Sequence, residues 1–246
     1  MKFILKLKFI ALLFICICTS ACSTLTPNDD LSRQISQDPL QNFNRKVYSF
    51  NNGLDKAVLK PVATGYKRYI PSVAQDGVNN FFSNLSEPLD ALNNLLQGKY
   101  HRALQSTYRF TVNSTIGLVG FIDVANKHDV KKAPEDFGQT LGAWGVKPGP
   151  YIMLPILGPT NLRDGIGLIT DRVIYSPNDI ITDTTAQSLT LTVIDGIDLR
   201  SNLIGIDNLL DQQLDPYSFL RLGYQNQRIE SLYDGNTPDI EEDFDF

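Results

Sequence analysis

Apolar residues recur at helical spacing through most of the chain. Leu40, Phe43, Val47, Phe50 and Leu54 mark one face, and Val78, Phe81, Phe82 and Leu85 mark a second. Leu89, Leu92, Leu95 and Leu96 form a third stripe, and Tyr100, Leu104, Tyr108 and Val112 a fourth. Boundary signals go with them. Asp38 and Pro39 suit an N-cap and first helical position, with Gln41 three residues after the cap. Ser72 with Gln75 reads as a capping box, and Gly98 as the residue just past a helix end. Asp215-Pro216 repeats the first signal ahead of Phe219, Leu220, Tyr224, Ile229 and Leu232. Residues 188–194 alternate like a strand, but nothing nearby could pair with them, so a helix is favoured. The pattern predicts an all-α chain.

Two segments depart from it. Residues 134–159 hold ten of the 30 glycines and prolines, and from Leu141 to Pro159 the only charge is Lys147. The same stretch carries Trp144, Tyr151 and Met153. No regular helix is expected to survive so many breakers. An apolar yet irregular segment must be buried in protein or lie at a membrane boundary or cavity, where its backbone can still be satisfied. Gly142, Gly145 and Gly149 around Trp144 are therefore candidates for a loop that moves as a gate, with tight packing as the alternative reading. Residues 117–122 are a smaller segment of the same kind.

The first 22 residues read as processing signal rather than fold. Lys2, Lys6 and Lys8 precede ten consecutive apolar residues (9–18), and the small residues Thr19, Ser20 and Ala21 precede Cys22. Ten apolar residues are about half of what a spanning helix needs. Plain secretion would cleave near Ala21. The arrangement also resembles a bacterial lipobox, in which the cysteine becomes the acylated first residue; Thr19 stands where that pattern favours Leu. Ser23, rather than Asp, then implies the outer membrane.

Removing residues 1–21 changes the charge. The chain carries −5 over 246 residues; without the signal it keeps 19 basic and 27 acidic residues over 225. An acid excess opposes nucleic-acid binding. The one remaining cysteine would carry lipid, which leaves no disulfide and no cysteine metal site. No metal or other cofactor is expected. Residues 24–37 read as a polar tether, and six acids among residues 234–246 as a disordered tail.

Catalytic patterns are sparse. His101 and His128 sit in polar surroundings, and there is no G-x-S-x-G, H-E-x-x-H or Walker sequence. The expectation is a protein that is not an enzyme. A lipid hydrolase using either histidine is the competing chemical reading.

The chain resembles the MlaA (VacJ) lipoproteins of Gram-negative outer membranes. The resemblance is carried by Phe43-Asn44-Arg45, Phe50-Asn51, Lys60-Pro61 and Tyr69; by Asn80-Phe81-Phe82, Asn84-Leu85, Glu87-Pro88 and Leu96-Gln97-Gly98; and by Arg109-Phe110 with Asn113. It continues through residues 136–141, Gly149-Pro150-Tyr151, Leu154-Pro155, Gly158-Pro159 and Arg163-Asp164, and ends at Asp215-Pro216-Tyr217, Tyr224 and Arg228. Residues 176–214 carry no motif. The resemblance implies a ring-like arrangement of amphipathic helices around a central channel, lying in the inner leaflet of the outer membrane. It implies removal of mislocalised phospholipid from the outer leaflet, transfer to a periplasmic phospholipid carrier, and association with a trimeric porin. The competing function is a scaffold that moves no lipid. The implied map is a signal over 1–21, lipid on Cys22, a tether over 22–37, a helical domain over 38–233 and the tail over 234–246. Phe81 and Phe82 join Gly142, Trp144, Gly145 and Gly149 as channel or gate candidates. Arg45, Asp136, Arg163 and Asp164 are expected to form ion pairs or caps before head-group contacts.

Overall fold

A computed structural model describes residues 38–237. The signal, Cys22, the tether and residues 238–246 lie outside the described residues. Helix α1 (Gln41–Leu54) widens into a π-turn (Asp55–Leu59) and continues as α2 (Lys60–Tyr69). Pro61 offers no N–H to the turn before it, and the backbone widens there. Ile70 is extended because Pro71 follows. Helix α3 (Ser72–Leu96) and α4 (Tyr100–Thr115) form a helical hairpin, closed by Gly98 at φ 76°. A short α5 (Phe137–Ala143) leads into strands β1 (Tyr151–Leu154) and β2 (Gly158–Asn161), then α6 (Leu162–Ile174). Helices α7 (Pro177–Ile180), α8 (Thr185–Asn202), α9 (Asp207–Asp211) and α10 (Pro216–Leu232) complete the chain.

The fold is helical, as the periodicity predicts, with a small hairpin added. Thr184 caps α8 in a full capping box with Gln187, so residues 188–194 are helical. Asp215 caps α10 by accepting from Ser218 N–H. Other expectations fail. The second and third stripes belong to one 25-residue helix with Pro88 inside it. Contacts with α4 pin the turn that leads into that proline, Asn84 reaching Ser114 and Glu87 reaching Arg109, and hold it against the usual break. Asp38 is no cap: it accepts from Asn44 and from the Tyr217 hydroxyl, and Leu40 occupies the cap position. Ser72 makes no cap bond; Gln75 instead donates to the Lys67 and Ile70 carbonyls that end α2. Nor is the Gly/Pro stretch irregular throughout, because its breakers sit at element ends and leave room for α5 and the hairpin. The tail is ordered where it begins: Asp234 pairs with Lys99 (2.8 Å) and Arg102.

The larger surprise is which side the stripes face. Phe43 is 53% exposed and Phe50 56%, and Leu95, Tyr100, Leu104, Ile169 and Val193 also point outward. Among the described residues, 19 polar side chains are buried against 10 apolar ones. A soluble protein of this size buries its large apolar side chains and exposes its charges. Here the amphipathic helices are turned about, and apolar surface on this scale marks contact with lipid or protein. Among the described residues no helix is long and apolar enough to cross a membrane.

Candidate functional site

The hairpin is the centre of the site. β1 and β2 pair antiparallel, with Tyr151 opposite Asn161, Ile152 opposite Thr160 and Leu154 opposite Gly158. Ile156 at φ 68° and Gly158 at φ 85° turn the chain between them. Two strands alone are marginal, and α1 supplies what a third strand would. Asn44 donates to the Tyr151 carbonyl (3.0 Å) and accepts from Met153 N–H (2.9 Å). Asn51, two turns on, donates to the Leu154 carbonyl (2.9 Å) and accepts from Ile156 N–H (2.8 Å). The side-chain amides thus satisfy the backbone edge of β1. Tyr151, Met153 and Tyr217 form the apolar cluster beside it, with Val47, Tyr48, Leu220 and Tyr224 packed around.

Arg228 on α10 joins the hairpin to α5 and α6. Its Nε donates to Asp164 (2.8 Å), and its Nη1 and Nη2 donate to the two oxygens of Asp136 (2.6 and 3.0 Å). Asp164 also takes Arg163 Nε (2.9 Å) and the Tyr224 hydroxyl (2.8 Å), and Asp136 caps α5 through Gln139 N–H. Burial works to raise both carboxyl groups, but the arginines override it and hold both below the usual range. Neighbouring Asp171 forms no ion pair among the described residues. Burial raises it to about 6, against the bond it accepts from Phe137 N–H (3.0 Å). The motif charges are therefore ion pairs, as expected; Arg45 likewise pairs with Asp215 and lies over the Tyr217 ring at 4.5 Å.

Two clefts flank this network. One, about 80 Å³, is lined by Tyr151, Asn161, Gln225, Ile229 and Leu232; the other, about 190 Å³, by Leu154, Leu157, Thr160, Leu168 and Asp171. Tyr224 and Arg228 line both.

The predicted site residues divide. A Cβ on Gly142 would lie 2.6 Å from Arg163 Nη1 and 2.8 Å from Leu232, so this glycine permits close approach. Gly145 and Gly149 have φ of 88° and 68°, and Gly145 ends α5. Trp144 donates its Nε1–H to the Leu96 carbonyl (3.1 Å) and meets Phe137 edge-on. The loop is thus pinned to α3 on one side, while Gly149 reaches the first cleft on the other. Phe81 and Phe82 are elsewhere: Phe81 stacks on Phe121 (centroids 5.1 Å) and meets Phe82 edge-on. They brace residues 117–122 and do not line either cleft. Sequence reasoning gave Tyr224, Arg228 and Asn161 no place in the site. The first two stand four residues apart on an evident helix and share a face; that spacing was the available signal. Among the described residues no cluster could hold a metal ion.

These features define a class: a helical protein with an ionic interior, an apolar exterior and clefts around a clamped hairpin. The chain belongs to the MlaA lipoprotein family, whose model matches residues 36–231. It is 39% identical over 196 residues to the intermembrane phospholipid transport system lipoprotein MlaA of Escherichia coli K12, covering 78% of this chain and 77% of that one. The protein of the same description from Haemophilus influenzae is 32% identical over 220 residues, covering 87% and 88%. A solved structure reported as the structural basis for maintenance of bacterial outer membrane lipid asymmetry matches with a TM-score of 0.72 and 36% identity. That match covers 80% of this chain and 99% of the other.

Proposed function

We propose that this protein is an outer-membrane lipoprotein that removes mislocalised phospholipid from the outer leaflet and passes it to a periplasmic phospholipid carrier, so keeping the two leaflets different. The observation that carries the reading is the outward-facing apolar surface of the helices around a buried ionic interior. A lipid path needs apolar walls for acyl chains and a polar lane for the head group. The exposed helix faces and the clefts beside Arg228 offer both. The relatives of known role are described as lipoproteins of an intermembrane phospholipid transport system.

In this reading the signal is cleaved before Cys22, the acylated cysteine anchors the chain, and residues 22–37 tether the domain over 38–233. The helices lie in the inner leaflet as a ring around a central channel, beside a trimeric porin. Residues 142–149 form the movable wall, hinged at Gly145 and Gly149, with Gly142 and Trp144 as its fixed end. Phe81 and Phe82 support the lipid-facing surface. The protein moves lipid without altering it and uses no cofactor.

Native mass spectrometry of the purified full-length protein tests this directly. Intact phospholipid is expected to accompany the chain; a lipid-free protein would favour a scaffold. Release of fatty acid from labelled vesicles, lost on replacing His101 or His128, would make it a hydrolase.

A further inference from the structure

We propose that Tyr224 sets which head groups this protein passes, by forming the removable part of the wall between the two clefts. The inference rests on the lipid-transport reading. Side chains along a strand alternate between its faces, and the hairpin register sorts the clefts accordingly. Tyr151 and Asn161, partners across the strands, face the smaller cleft; Leu154, Gly158 and Thr160 on the opposite face line the larger, which Pro159 also reaches from the first face at the strand end. The edge of β1 is closed by Asn44 and Asn51. At Tyr224 and Arg228, which touch both spaces from one face of α10, the two faces of the hairpin meet.

The two wall residues are not equivalent. Three bonds to Asp136 and Asp164 fix Arg228. Moving it would leave Asp136 without its cation beside Asp164 in a partly buried site. Tyr224 is held at its tip, donating to Asp164 and accepting from Asn161 (3.3 Å), while its ring leans on Tyr151 with centroids 6.0 Å apart. Its ring can be withdrawn without unpairing an ion. The opening left would have the balanced Arg228–Asp164 pair on one side and Tyr151 and Ile229 on the other. With the charges balanced, such an opening selects by size. Small zwitterionic head groups suit the closed wall, and larger ones need it widened.

The test is transfer from vesicles holding the full-length protein and equal amounts of phosphatidylethanolamine and the bulkier but equally zwitterionic phosphatidylcholine, read as the ratio of the two lipids delivered. Tyr224→Ala should raise the phosphatidylcholine share severalfold, and Tyr224→Phe, which keeps the ring but frees its tip, should raise it much less. Leu157→Trp, on the exposed hairpin turn beside the larger cleft, should lower it and does not depend on the alanine variant folding. An unchanged ratio in a folded Tyr224→Ala protein overturns the proposal. So does equal change in the Phe variant, or an unchanged ratio with Leu157→Trp. No transfer of either lipid by the unaltered protein would instead overturn the transport reading beneath it.

Discussion

Two arginines in this protein make nearly the same contacts and stand in different surroundings. Arg109 on α4 lies between Glu87 (2.5 Å) and Asp123 (2.9 Å), with its third nitrogen on the Val130 carbonyl (2.5 Å). Arg228 lies between Asp136 and Asp164. Arg109 has 1% of its side chain exposed and lines no cleft described above, whereas Arg228 has 17% exposed and walls two. The first ties α3, α4 and the loop after them together. The second does the same for α5, α6 and α10 and also bounds a space. A buried ion pair alone says little about function; the empty volume beside it distinguishes a tie from a wall.

The comparison predicts opposite rankings for stability and transport. Arg109→Met strands two carboxylates in the interior and should lower unfolding stability by about 3–5 kcal/mol. Denaturant melts check it, and transport should fall only as far as folded protein is lost. Asn44→Ala removes the clamp, leaving the Tyr151 carbonyl and Met153 N–H unpaired, at about 2–3 kcal/mol. It should disorder the hairpin first, seen as early hydrogen exchange of residues 151–161. Arg228→Met should cost about 2 kcal/mol, less than Arg109→Met, because Asp164 keeps Arg163 and Asp136 is partly hydrated. Its effect on lipid transfer should nevertheless exceed that of Arg109→Met at equal folded concentration. If the two variants lose transfer only in proportion to stability, the distinction collapses.

The smallest effect concerns pH. Burial raises Asp90 to about 7 and Asp171 to about 6, from an ordinary 3.8. The folded state then binds protons more tightly than the unfolded state, so stability should rise as pH falls through 7 and 6. Asp136 and Asp164 are shifted the other way, and below their unfolded values the stability they supply is lost. Melts across this range should show a maximum on the acid side of neutrality. Asp90→Asn together with Asp171→Asn should flatten the rise above it and leave the acid limb in place.

Much of this was legible in the residues. The cap at Asp215, the C-terminal glycine at 98 and the helical periodicity rest on local chemistry, which a sequence states openly. The motif charges paired as opposite charges near one another do. What stayed hidden depended on contacts distant in the chain. Phe43-Asn44 and Phe50-Asn51 show it best: periodicity marks the phenylalanines as a face but does not say whether it meets core or lipid. The asparagines proved to be the inward residues because β1, over 100 residues away, needed its edge closed. The hairpin was missed for the same reason, since its strands are four residues each and its partner edge is a helix. Pro88 lies inside α3, and the packed α4 keeps the helix going past it.

The central claim is that an inverted helical domain carries phospholipid away from the outer leaflet. Its most direct measurement is the amount of phospholipid exposed on the cell surface, read with a phospholipase that cannot enter the cell, in cells lacking this protein. Surface phospholipid should rise, return to its normal level when the unaltered gene is restored, and stay raised with Arg228→Met expressed at matched folded levels. Unchanged surface phospholipid in cells lacking the protein would contradict the account.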